Sequence, residues 1–189
     1  FFSPAPDREY WTDTGYTIDD SIVRDAAIDL ARSGREIAPH ELGYRSPEEI
    51  AAEIEHFAKV TGYTPTGTRN HVLTHIAPSL NWKNAAGLAY DTTWYAEQTE
   101  TSFLCGAVCP FAPMDADTGA PLPLWEFPFV IEDGIVHGVY GTGEPRTTEG
   151  AIEDGRRGLL HILEHHGYAC FNWHQRTFAR ESIFRGEST

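Results

Sequence analysis

Glycines at positions 34, 62, 87 and 167 each close a stretch of helical periodicity, and a short strand-like run follows three of them. Helices that stop on glycine and hand over to strands, repeated along one chain, point to parallel β-strands joined by helices. Ile22, Val23, Ala26, Ala27, Leu30 and Ala31 share one face of a helix from Ser21 to Ser33, with Asp20 as its N-cap. Ser46-Pro47-Glu48-Glu49 is a capping box with proline at the first helical position, and Ile50, Ile54, Phe57 and Ala58 supply the apolar stripe behind it. Pro78 to Ala86 reads as a third helix. Thr148 to His166 reads as a fourth, interrupted by Gly150, Gly155 and Gly158 but given an apolar side by Leu159, Leu160, Ile162 and Leu163.

Strands are expected at Arg35 to Ala38, Leu88 to Tyr90 and Tyr168 to Trp173, and a hairpin at Glu126 to Ile131 and Ile135 to Tyr140 around Glu132-Asp133-Gly134. From Thr92 to Pro123 no period holds, and Pro110, Pro113, Gly119, Pro121 and Pro123 mark a long irregular excursion of the kind that carries function. The fold class is therefore α/β, a parallel sheet or barrel, in which sites gather at the carboxyl ends of strands.

A length of 189 residues suits one domain with a sizeable core. The formal charge of -14 argues against a nucleic-acid or anionic-membrane partner and favours a neutral or cationic ligand. No apolar run approaches a membrane span, and no targeting address can be read. Cys105, Cys109 and Cys170 are odd in number and make no disulfide framework; they read as ordinary buried thiols.

The chemistry concentrates in Gly67-Thr68-Arg69-Asn70-His71-Val72-Leu73-Thr74-His75, which places one arginine and two histidines within seven residues. His40, Asp91 and His174 fall at the expected carboxyl ends of strands, and Arg69 and His71 follow a turn that can bring them there. Two or three imidazoles with a carboxylate or water make an open zinc site that acidifies its bound water. Each residue also has an ordinary structural reading: Arg69 as the partner of a carboxylate, Asp91 as a turn cap, and His56, His137, His161, His165 and His166 as plain helix or hairpin residues.

With these residues in place, the chain resembles the polysaccharide deacetylases of the NodB-homology family, metal-dependent enzymes on an incomplete (β/α) barrel of the glycoside hydrolase/deacetylase type. Gly34-Arg35-Glu36-Ile37-Ala38-Pro39-His40 is similar to the family's Gly-His-Glu-Ile-x-x-His motif. Gly67-Thr68-Arg69 resembles its arginine motif, Ala86-Gly87-Leu88-Ala89-Tyr90-Asp91-Thr92-Thr93 its Ala-Gly-Phe-x-Tyr-Asp-Ser-Ser stretch, and Asn172-Trp173-His174 its final histidine motif. Phe1-Phe2 looks like the end of the family's second strand, so the resemblance implies a single domain that is incomplete at its N-terminus. The paired aspartates of the family's first strand have no counterpart here, its second metal histidine is Tyr44, and its leading histidine is Arg35.

The resemblance implies a hydrolase that removes acetyl groups from an N-acetylated sugar or glycan. Zinc or another divalent metal would be held by His40 and His71, with His75 as the substitute ligand, while His174 would serve as general acid and Arg69 and Asp91 would complete the catalytic set. Trp94, Tyr95, Trp125 and Trp173 are candidates to stack on sugar rings. The alternative is a carbohydrate-binding or structural relative that kept the fold and lost catalysis.

Overall fold

The computed structural model describes residues 16–40, 46–74, 76, 78–95, 108–136 and 147–174. They group into two compact units. One runs to Thr93 and adds Phe111–Glu126; the other comprises Trp94–Pro110 and the chain from Phe127 onward.

In the first unit, α1 (Ser21–Arg32) and α2 (Pro47–Thr61) enclose a core of Ile18, Ala27, Ile37 and Phe57, with Val23, Ala31, Val60 and Tyr63 packed against it. Fully burying a side chain the size of Ile18 or Phe57 stabilises the fold by about 1.5–3 kcal/mol. Helix α2 starts and ends as its sequence dictates: Ser46 Oγ accepts from Glu49 N at 3.2 Å, and Gly62 closes the helix with φ 78°. Helix α1 starts differently from expectation. The Asp20 side chain makes no cap bond and turns back, its Oδ2 accepting from Thr17 N at 2.8 Å. The strand expected at 35–38 has no ladder; a single bridge falls at Pro39, whose missing N–H prevents a ladder from running through.

Three short parallel strands make the sheet of this unit, in the order β1 (Gly67–Thr68), β2 (Tyr90–Asp91), β3 (Trp125–Glu126). The register sets Gly67, Tyr90 and Trp125 in one row and Thr68, Asp91 and Glu126 in the next. Between β1 and β2 lie one 3-10 turn (His71–Leu73) and α3 (Ser79–Ala85). The end of the irregular excursion is anchored to α3. Asp115 Oδ1 accepts from Asp117 N at 2.9 Å and Thr118 N at 2.7 Å, while Asn81 Nδ2 of α3 donates to Asp115 Oδ2 at 3.1 Å.

The second unit pairs β4 (Ile131–Glu132) in parallel with β5 (Phe171–Asn172), linked by a helical turn α4 (Asp133–Val136) and the long α5 (Thr148–Glu164). The hairpin around Glu132-Asp133-Gly134 does not form. Asp133 opens α4, its Oδ1 accepting from Gly134 N at 2.9 Å, and β4 takes a distant parallel partner instead. The remainder of the expected hairpin, 137–140, lies outside the described residues.

Helix α5 also turns a different face inward from the one its leucines suggest. Ala151, Asp154, Gly158 and Ile162 are buried, whereas Leu159, Leu160 and Leu163 are exposed. Gly158 is thus part of the packed stripe. Val130, Ile131, Ala151 and Ile162 form the core of this unit. Cys109 is an exposed free thiol, contrary to the buried role expected of it, and Cys170 is partly buried; Cys105 lies outside the described residues. No helix among the described residues is long and apolar enough to cross a membrane.

Gly67 is fixed by close approach. A Cβ there would stand 2.0 Å from Tyr90 Cζ, so the ring lies directly over the glycine. Gly67→Ala is expected to destabilise the chain by about 1–3 kcal/mol, as overpacking does, in urea unfolding. The loss should largely disappear in a Tyr90→Ala background.

Candidate functional site

Strands β1 and β2 end side by side, and the residues after them are bonded together. Thr92 N donates to Thr68 O at 3.0 Å, and Asn70 N donates to Thr93 Oγ1 at 3.0 Å. Arg69 lies across the same gap, its Nε donating to Thr92 O at 2.9 Å and its Nη2 to Thr92 Oγ1 at 3.0 Å. The guanidinium is almost fully buried. Its fork thereby holds the two strand ends at a fixed separation, using the rigid donor geometry particular to arginine.

His40 reaches this place from the N-terminal side. Thr68 Oγ1 donates to Pro39 O at 3.1 Å, and His40 Nδ1 donates to Arg69 O at 2.9 Å. With the proton on Nδ1, the ring's lone pair is on Nε2. His71, in the 3-10 turn after Asn70, stands edge to face with it, ring centroids 5.1 Å apart and planes at 85°. Enclosure by protein atoms pushes the His40 pKa from 6.5 down to about 3, and the neighbouring His71 adds to the shift. His40 is a neutral imidazole at physiological pH. It carries the backbone hydrogen bond on its other nitrogen that typically orients a metal-binding histidine.

The chemistry of this pair suits zinc or a similar divalent metal: imidazole nitrogens, one of them neutral with its tautomer fixed. Among the described residues, no third histidine, cysteine or carboxylate completes a cluster with His40 and His71. His75, the expected substitute ligand, lies outside the described residues, as does Tyr44.

Asp91 sits at the end of β2 and is fully buried, as is Lys83 of α3, whose Nζ donates to Asp91 Oδ1. Thr93 completes the arrangement. Its hydroxyl donates to Asp91 Oδ1 at 2.9 Å, its N–H donates to Asp91 Oδ2 at 3.1 Å, and the same hydroxyl accepts from Asn70 N. The carboxylate therefore holds Thr93, and Thr93 holds the peptide that leads into His71. Sequence reasoning missed Lys83. The available signal was that Ser79, Leu80 and Lys83, spaced three and four apart, are the buried residues of α3, which puts a lysine on a core stripe.

In the second unit, His174 follows β5. Its Nδ1 donates to Asp133 Oδ1 at 2.8 Å and its backbone N to Asp133 Oδ2 at 3.0 Å. Asp133, read from the sequence as a turn residue, is fully buried and fixes both the orientation and the tautomer of the ring. Glu132 lies beside the pair, its ligand-type oxygen within 4.8 Å of theirs. Of the four candidate stacking aromatics, Tyr95 is committed to Phe129, stacked at 5.0 Å, while Trp125 and Trp173 present about half their surface.

Three crystal structures share this fold over most of the chain. The putative polysaccharide deacetylase from Mycobacterium smegmatis superposes with a TM-score of 0.59 at 22% identity, covering 82% of this chain and 55% of its own. The chain has the polysaccharide deacetylase fold. A probable polysaccharide deacetylase from Pseudomonas aeruginosa PAO1 gives 0.55 at 13% identity, covering 80% of this chain and 49% of its own. Puue allantoinase gives 0.55 at 14% identity, with coverages of 79% and 48%. The chain thus spans about half the length of these deacetylase-fold neighbours. No family model and no curated protein matches the sequence.

Two outcomes test this geometry. Removing either partner of a buried ion pair costs about 3–5 kcal/mol, so Lys83→Met and Asp91→Asn should each lower the urea midpoint sharply. Lys83→Met/Asp91→Leu together should cost less than the sum. Because the His40 pKa is depressed, the unfolded chain takes up this proton first as pH falls below about 6.5. The metal-free chain should therefore lose stability progressively from pH 6.5 toward pH 3, and His40→Gln should flatten that slope in denaturation curves taken across the range.

Proposed function

We propose that the chain is a metal-dependent hydrolase of the deacetylase kind, or part of one, releasing acetate from an N-acetylated sugar or glycan. The observation that carries the reading is the His40–His71 pair, one ring neutral and oriented by Arg69 O, at the carboxyl ends of parallel strands in a deacetylase-like fold. An incomplete (β/α) barrel belongs to the same reading.

His40 and His71 would hold the metal through ring nitrogens, with His75 as a further ligand. A bound divalent ion supplies Lewis acidity and lowers the pKa of water. Arg69 keeps the His40 anchor and the two strand ends in register through Thr92, and Asp91 does the same for the His71 turn through Thr93. His174 would hold a proton at Nε2 for the departing amine, with Asp133 stabilising the charged ring. Trp125 and Trp173 offer apolar ring faces to a sugar, and a neutral glycan is compatible with the charge of -14.

A second reading, a glycan-binding relative without turnover, is favoured by the commitment of both Asp91 oxygens to Lys83 and Thr93. Acetate release from N-acetylated chito-oligosaccharides, assayed with and without added zinc, separates the two. Metal-dependent release, abolished by His40→Ala or His71→Ala and lowered about 10²–10⁴-fold in kcat by His174→Ala, supports the hydrolase. Saturable oligosaccharide binding without release supports the binding relative.

A further inference from the structure

The last turn of α5 carries a further group of ligand atoms, from residues read in the sequence as plain helix positions and given no part in the proposed reaction. His161, Glu164 and His165 present a ring nitrogen, a carboxylate oxygen and a ring nitrogen all within 4.8 Å of one another. The spacing explains it: residues three and four apart on a helix share a face, so His161 meets both others one turn on. The two imidazoles lie side by side, centroids 4.3 Å apart and planes tilted by 39°. His165 Nδ1 donates to His161 O at 2.9 Å. That bond fixes its tautomer and presents the Nε2 lone pair, as a backbone carbonyl does for many metal-binding histidines.

We infer that His161, Glu164 and His165 form a surface binding site for a late first-row divalent cation, zinc in the first instance, distinct from the His40–His71 pair. The ligands match such an ion: two borderline-soft nitrogens and one carboxylate, with open coordination left for water. All three side chains are exposed, so an ion arrives without any rearrangement of the core. The location adds a favourable field. Glu164 is the final residue of α5 and His165 its C-cap, where the helix carbonyls leave partial negative charge that attracts cations. A bound ion would staple the last turn of α5 against fraying and give the chain a metal-dependent stability independent of any catalysis.

The test is a zinc titration of the full chain, stripped of metal by a chelator, followed by calorimetry and thermal unfolding. His40→Ala/His71→Ala serves as the background, so that the pair in the first unit does not contribute. One saturable site is expected there, with unfolding temperature rising as zinc is added. Adding His161→Ala or His165→Ala to that background should weaken binding by more than about tenfold, since even indirect changes around a metal cost 10–100-fold. These changes should also remove the thermal shift, while His166→Ala should leave both unchanged. His165→Cys, which offers a thiolate in place of the imidazole, should retain binding. Matching far-ultraviolet circular dichroism will establish that the variants are folded. The inference is overturned if the background chain shows no saturable zinc binding, or if its binding is indifferent to both His161→Ala and His165→Ala.

Discussion

The arrangement at the ends of β1 and β2 depends on one buried ionic contact, Lys83 with Asp91. Neither group has access to water, so each requires the other; a lone charge in that position would carry a large desolvation penalty. Through Asp91 the contact fixes Thr93, through Thr93 the Asn70 peptide, and through that peptide the start of the turn that bears His71. Arg69 makes the parallel connection to Thr92, and its carbonyl receives His40. Two histidines thus come together because cationic side chains, one from a short helix and one from a strand end, are anchored in the interior. The Asp91 oxygens are occupied by Lys83 and Thr93.

Three histidines in different parts of the chain share one device. His40 donates from Nδ1 to a backbone carbonyl, His165 does likewise, and His174 donates to the Asp133 carboxylate. In each the bond is made through Nδ1, but the acceptors differ in consequence. A backbone carbonyl fixes the tautomer and orients the ring without bringing a counter-charge. A carboxylate stabilises a ring that gains charge, suited to handling a proton.

Elements specified by local backbone chemistry were legible in the sequence. Helix α2 was readable from Ser46, Pro47 and Gly62 because capping and left-handed closure are decided within a few residues. The identities of Arg69, His71 and His174 were also visible, as was the position of His174 just after a strand; the strand before Arg69 was not. What the sequence concealed was decided by distant partners. Asp133 followed by glycine resembles a hairpin turn until His174 claims its carboxylate. Asp20 resembles a cap until Thr17 takes its side chain. The leucines of α5 resemble a core face, yet the packed stripe runs through Ala151, Gly158 and Ile162, where small side chains permit closer approach. Strands of two residues carry too little alternation for any period to register.

The parallel pairing of β4 with β5 has a kinetic consequence. Asp133 and His174 meet across 41 positions of sequence, and such a pairing pays its loop-closure entropy before any contact repays it. The intervening α5 is local and able to form early, whereas the dyad exists only when both strands have docked. Folding of this unit is therefore expected to be slow relative to its helix, and the His174 ring acquires its orientation among the final events. A chain cut anywhere between the two strands retains every residue of the dyad and loses the covalent tether that makes their encounter intramolecular.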